Sequence, residues 1–226
     1  MHKFKDPIEL LIHARGHVEQ VVNSLRRDVK NTLKSEIEPA PFPAMLFCFA
    51  TINLLGSLFK RRADKGADNK LISIFYITRF MQYSAENTTI IIESFRHKLA
   101  HLAQPNPLIR YGLERVTWRH HQHDRQFHLK KIPLDSGSEI ADVPSHWHIP
   151  VTHEYNISIK DFAKDIRDSA MGLNGYYNTL EYSPYLQSNY ELAINRIYGE
   201  KTWDVTKSAY QSLPFDITND ILQHFC

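Results

Sequence analysis

Apolar residues recur every three or four positions through the first part of the chain, and that rhythm predicts helices. Leu11, Ala14, Val18, Val22, Leu25, Val29 and Leu33 mark one face of a long amphipathic helix over residues 7–37, with charged residues between them. Pro7 suits a first helical turn, and Pro39, Pro41 and Pro43 stop this helix and start another. The second helix, 43–60, is apolar on nearly every face and reads as a central helix buried all round. Its closing Lys60-Arg61-Arg62 sets cations at the carbonyl end of the helix dipole. Residues 63–69 form a polar loop. A third helix over about 70–83 carries Leu71, Ile74, Phe75, Ile77, Phe80 and Met81. A fourth, about 85–103, is ended by Pro105 and Pro107.

Beyond residue 107 the rhythm changes. Residues 114–120 and 126–132 have the β-branched and aromatic content of two strands, and they read as a hairpin with His123-Asp124 near its tip. Residues 133–150 are loop-like, and 153–159 supply a candidate third strand. Ser158 followed by Asp161 reads as the cap of a helix built on Ile159, Phe162, Ile166, Ala170 and Leu173. Further helices are expected over about 184–198 and 203–212. The chain therefore reads as a single mainly α-helical domain over 1–226. Its core helices span about 7–103 and 159–181, with a β insertion at about 114–158 and a C-terminal helical extension at about 184–226.

Composition narrows the class. With 42% hydrophobic and 23% charged residues, the chain has the balance of a globular domain, and its 226 residues suffice for a sizeable core. A net charge of +2 is too small to imply nucleic acid, so any basic surface must come from local clustering. Cys48 and Cys226 make no disulfide framework; the expectation is a reduced cytoplasmic protein with one core thiol. No signal-peptide stretch opens the sequence. The apolar run Pro43 to Phe59 falls short of the roughly 20 residues of a membrane span and holds Thr51, Asn53 and Ser57, so no membrane is expected. The eight glycines form neither a P-loop nor a dinucleotide fingerprint, and no cofactor is expected.

The compositional oddity is histidine, 13 in all, most of them between His97 and His153. They begin at the end of the fourth helix, where Ile90-Ile91-Ile92-Glu93-Ser94-Phe95 runs into Arg96-His97-Lys98-Leu99-Ala100-His101. On an ideal wheel Ile91, Ile92, Phe95, Leu99 and Leu102 face the core, while Glu93, His97 and His101 line up at intervals of four on a polar face. Arg96 lies at the border. Arg96 and His101 are about 140° apart around the helix and about 7.5 Å apart along it, so a straight helix does not aim both at one atom. They converge only if the helix ends near His101 or if two subunits each bring a pair across a two-fold axis. Chemically the set suits phosphodiester cleavage. Histidine moves protons near neutral pH, and a guanidinium clamps a phosphate and stabilises charge developing on its oxygens. The 2′-hydroxyl of RNA is its own nucleophile, so neither a metal nor a protein nucleophile is needed. The same spacing recurs at Arg115 to His120, on a predicted strand.

The run Arg96-His97-Lys98-Leu99-Ala100-His101 resembles the arginine–polar–x3–5–histidine signature of HEPN domains. Its setting is similar too: the end of a late bundle helix, after a proline-led apolar helix ending Leu54-Leu55-Gly56, with Pro105 soon after. The resemblance covers about residues 7–180. It implies a HEPN-like helical bundle with a small β-hairpin insertion, and self-association as a homodimer; the extra C-terminal helices expected from about residue 184 lie beyond it. It further implies metal-independent endoribonuclease activity of the toxin or phage-defence type, with RNA as substrate and a cognate antitoxin or other protein as partner. Carried over by position, Arg96 and His101 would be the catalytic pair and His97 the polar residue after the arginine, with His97 or Glu93 orienting them. Other members of the superfamily act as binding or assembly modules. The alternative is therefore a non-catalytic helical module for protein or RNA.

Two further features bear on ligands. His120, His121, His123, His128, His146, His148 and His153 invite a metal reading. They lack a cysteine partner, a His-Glu-x-x-His motif and four-ligand spacing, and they read instead as exposed histidines on a hairpin. Glu93, His97 and His101 on one helix face form a second, weaker metal candidate. Arg115, Arg119, Arg125, Lys130 and Lys131 make the predicted hairpin basic, with Trp118 and Phe127 interleaved for base stacking. Lys98, Arg115 and Arg119 are the expected nucleic-acid contacts.

Overall fold

The N-terminal apolar rhythm becomes helix α1, Pro7–Leu33, in the computed structural model. The structure describes residues 4–34, 40–60, 69–96, 105–121, 125–140 and 148–198. Asp6 caps α1 by accepting from the Glu9 backbone N–H at 2.8 Å, and Pro7 occupies its first turn, where a missing N–H costs nothing. The buried stripe is Leu10, Ala14, Val18, Val22, Leu25, Val29 and Leu33. Leu10, not Leu11, opens it, because Leu10 lies four residues before Ala14 and so keeps the phase of Ala14, Val18 and Val22. Each leucine and valine in it contributes on the order of 1.5–3 kcal/mol by leaving water.

Helix α2, Pro41–Lys60, is the apolar one. It packs against α1 and, further along the chain, against the helices built from residues 69–76, 159–171 and 184–198. It is not buried all round, as its composition suggested: Leu46 is 41% and Phe47 37% exposed, because no described element covers that side of its first half. Among the described residues it is the one helix long and apolar enough to cross a membrane, and half of its apolar window is buried in this fold. Cys48 lies wholly inside, and burial pushes its thiol pKa well up. Helix α3, Asn69–Tyr76, crosses α2 at Gly56, where a Cβ would stand 2.6 Å from Ile72 Cγ2 and 2.9 Å from Ile72 O. It runs into a π turn, Ile77–Met81, which ends at Gln82 with φ 56°. Ser84 then caps α4, Ala85–Ile91, by accepting from the Asn87 N–H at 3.1 Å, and α4 also ends in a π turn, Ile92–Arg96.

The expected hairpin of residues 114–120 and 126–132 does not form. Strands β1 (Ile109–Tyr111), β2 (Glu114–His121), β3 (Lys130–Pro133) and β4 (His153–Ser158) make one sheet in the order β1-β2-β4-β3. β4 lies between the two segments expected to pair, parallel to β2 and antiparallel to β3. The reason is burial. Tyr155, Asn156, Ile157 and Ser158 are all buried, so β4 needs ladder partners on both edges, and β2 and β3 are polar enough to flank it. Leu129, with φ 60°, turns the chain into β3, and its N–H donates to Asn156 O at 2.9 Å. The tight hairpin is β1–β2 instead, turning at Gly112 (φ 59°) and Leu113. The expected tip at His123-Asp124 lies outside the described residues.

Helix α5, Ile159–Met171, follows β4 directly. Ser158 does not cap it in the expected way: its hydroxyl bonds the Asp161 carboxylate, and no side-chain cap reaches the helix N–H groups. Helices α6 (Tyr176–Glu181) and α7 (Pro184–Tyr198) complete the described fold; the helix expected at 203–212 lies outside it. The molecule is thus mainly helical with a small four-stranded sheet. A single hydrophobic cluster joins α1, α2 and α5–α7 to the inner face of the sheet, with Tyr76, Phe95, Tyr155, Phe162, Tyr176 and Tyr190 fully buried in it.

Candidate functional site

Three helices meet around Arg96. Its Nε donates to Asn53 Oδ1 on α2 at 3.4 Å, and the buried Ser73 hydroxyl on α3 donates to the same oxygen. Three residues before it, Glu93 pairs with Lys70 of α3. Arg96 and Glu93 thus leave the same π turn toward different neighbours. A π turn is a one-residue insertion, so it moves the following face by roughly 100° from the α-helical phase. Between Glu93 and Arg96, therefore, the chain does not follow the ideal wheel. His97, Lys98 and His101 lie outside the described residues. Beside this turn the Asn106 N–H donates to Ser94 O at 2.6 Å.

An aromatic shelf flanks this end. Phe95 is buried with its ring 5.0 Å from Trp118, whose indole N–H donates to Asn106 O at 2.8 Å. Phe42, at the start of α2, lies 5.9 Å from Trp118 and 6.2 Å from His120. Partial desolvation and the neighbouring His121 hold the His120 imidazole below its ordinary pKa. Asn53, Ser73 and His120 were not picked out from sequence as parts of this site. For Asn53 the available signal was an amide in an otherwise apolar helix.

Strand geometry separates the remaining candidates. Side chains alternate along β2, so Val116, Trp118 and His120 face the helices, whereas Arg115, Thr117, Arg119 and His121 lie on the opposite face. The Arg115-to-His120 spacing therefore cannot bring its two ends together, since an odd separation on a strand splits them. Arg115 and Arg119 share the outer face and do not converge on Arg96. Arg115 Nε is buried with no hydrogen-bond partner, and its backbone N–H donates to Thr152 Oγ1 at 2.9 Å. Arg119 is paired with Glu154 at 3.0 Å.

Among the described residues, His121, His128, His148 and His153 each have a protein partner. His128 was expected at the surface; it is buried, because the turn carrying it folds under Tyr83 and α5. Its Nδ1 accepts from the Ser158 N–H at 3.1 Å, which fixes the ring proton on Nε2, 3.3 Å from Asp165 Oδ2. Tyr83 OH donates to the same carboxylate oxygen at 2.8 Å, and Arg125 donates to the other at 2.8 Å. Burial opposes the Asp165 charge, but the bonds from His128, Tyr83 and Arg125 outweigh it and hold its pKa below the usual range. His121 bonds Asn156 Oδ1 at 2.7 Å and stacks on Phe127. His148 faces Glu139, and His153 faces Glu114, which Lys131 holds below the ordinary carboxylate range. Among the described residues no three histidines, cysteines or carboxylates gather closely enough to hold a metal ion. No family model matches the chain, and neither a curated protein nor a solved structure matches it.

Proposed function

We propose that the chain is a HEPN-like, metal-independent endoribonuclease acting as a homodimer. The supporting observation is Arg96 itself. It stands at the end of a core helix, turned out of helical phase by a π turn, and a side chain from another helix grips its Nε. A guanidinium held this way keeps its orientation while its planar fork meets phosphate oxygens. His101 removes the proton from the 2′-hydroxyl, whose oxygen attacks phosphorus. The bond to the 5′-oxygen breaks, and that oxygen takes up a proton. Arg96 stabilises the charge on the phosphorane-like transition state. The products are a 2′,3′-cyclic phosphate and a 5′-hydroxyl. Glu93, through Lys70, positions the π turn against α3, and His97 orients the pair. Cytoplasmic action against cellular or phage RNA, with an antitoxin or other protein as regulator, belongs to the same reading.

The test is cleavage of RNA by purified protein in EDTA, with the product ends identified and the oligomeric state measured by light scattering. Cyclic phosphate ends that vanish in His101→Ala, with RNA affinity retained, support the proposal. Absence of cleavage, or cleavage only with added metal, overturns it. The second reading, a non-catalytic helical module, is favoured by the Arg96–Asn53 bond taken as a tie between helices. It expects Arg96→Ala and His101→Ala to alter stability or assembly with no activity to lose.

A further inference from the structure

A second arrangement lies away from Arg96. Where α1 packs on α5, a groove of about 230 Å³ runs over an apolar seam of Val29 and Ala163. Among the described residues its lips are cationic: Arg26 and Lys30 on α1, and Lys160, Lys164 and Arg167 on α5. All five are exposed. Arg167 shares its guanidinium with Asp168, at 2.6 and 2.9 Å. The other four have no carboxylate partner among the described residues. Helix stability does not explain the cluster, because Lys160 sits in the first turn of α5, where the dipole disfavours a cation.

We infer that this groove binds the phosphate backbone of single-stranded RNA, irrespective of sequence. The identity of the polyanion rests on the RNA reading above; the binding does not depend on catalysis at Arg96. Lys160 to Arg167 spans about 10 Å along α5, and Arg26 to Lys30 about 6 Å along α1. Four uncompensated cations over that length exceed the roughly −2 charge of one phosphate monoester, so a run of phosphodiesters suits them better. The concave seam admits a strand between two lips, whereas a lipid surface would need apolar side chains projecting beside the cations. Among the described residues no aromatic lines the groove, so the contacts it offers go to the backbone.

The probe is a fluorescein-labelled 2′-O-methyl oligouridylate, which cannot be cleaved through its 2′-oxygen, titrated by anisotropy across a salt series. Each neutralised phosphate contributes about 0.7 to the salt slope of single-strand binding. Lys30→Gln/Lys160→Gln/Lys164→Gln is therefore expected to flatten the slope by about 2 and to weaken binding at least tenfold at low salt. Lys5→Gln/Arg79→Gln/Arg110→Gln, at exposed positions outside the groove, removes the same charge and should leave the slope unchanged. Lys160→Arg/Lys164→Arg should retain binding, and melting curves should match wild type throughout. Equal effects of the two neutralised triples, no effect of the groove triple, or wild-type binding to phosphatidylserine vesicles but not to the oligonucleotide overturns the inference. Wild-type protein that shows this binding but cleaves no RNA would count against the nuclease reading alone.

Discussion

Replacing Asp165 by asparagine probes the junction on which the sheet is hung. The carboxylate is only 17% exposed and accepts from Tyr83, His128 and Arg125. An amide of the same shape keeps one acceptor oxygen and turns a donor toward groups that also donate. A hydrogen bond to a charged group contributes about 1.5–3 kcal/mol, so losing one and weakening another costs about 2–4 kcal/mol. Arg125 is 58% exposed and adds at most a few tenths after solvent screening. For a chain of 226 residues this lowers Tm by roughly 5–15 °C. The pH dependence carries a sign. Asp165 ionises below its ordinary range when folded, so its contribution is complete above the unfolded carboxyl value near 3.9 and drains away as pH falls through the folded value. Asparagine does not titrate, so the gap between wild type and variant should be widest at neutral pH and close below about pH 4. Urea unfolding of both proteins from pH 7 downward measures it. A gap under about 1 kcal/mol at pH 7, or one that stays constant into acid, refutes the reasoning.

Other consequences are as direct. Gly56→Ala drives a Cβ against the Ile72 backbone, and overpacking of about 1–3 kcal/mol outweighs the roughly 1 kcal/mol gained in helix propensity, so urea unfolding should show net destabilisation. Iodoacetamide at pH 8 should leave Cys48 unmodified in native protein and alkylate it in urea, as read by peptide mass, because its buried thiol resists ionisation. The His120 ring proton should titrate below the ordinary 6.5 in an NMR pH series, and Phe42→Ala, which opens the ring to water, should move it upward.

How far the sequence could be read depended on the range of the forces involved. Helix phase is local, so α1, α2 and α7 were legible from apolar spacing and proline positions, to within a few residues at their ends. β2, β3 and β4 were located, though β1 was missed, and the pairing was wrong, because which strand takes the centre of a sheet depends on burial against α5 and the bundle. Pairing 114–120 with 126–132 was the simplest local choice; the buried run Tyr155 to Ser158 overrode it. At the site, Arg96 stood out, but its orientation did not. The π turn breaks the periodicity that a helical wheel assumes, and Asn53 lies 43 residues away in sequence. His128 and Asp165, 37 residues apart, meet through a turn that no local pattern announced. The five cations of the α1–α5 groove are dispersed over 142 positions, from Arg26 to Arg167, and become a cluster only through packing.

The central place of β4 also sets an order of assembly. The β1–β2 hairpin closes across two residues, so it can form as soon as Glu114–His121 is made. Among the described residues β3 has no ladder partner but β4, and the edge of β2 away from β1 likewise pairs only with β4. During synthesis at about 5–20 residues per second, both edges therefore wait one to several seconds for residues 153–158 to appear. In that interval the nascent chain displays two unpaired strand edges beside Trp118 and Val116, a surface for chaperones or for mispairing between neighbouring chains. Slowed translation between residues 133 and 153 should accordingly lower the soluble yield more than the same delay placed after residue 158.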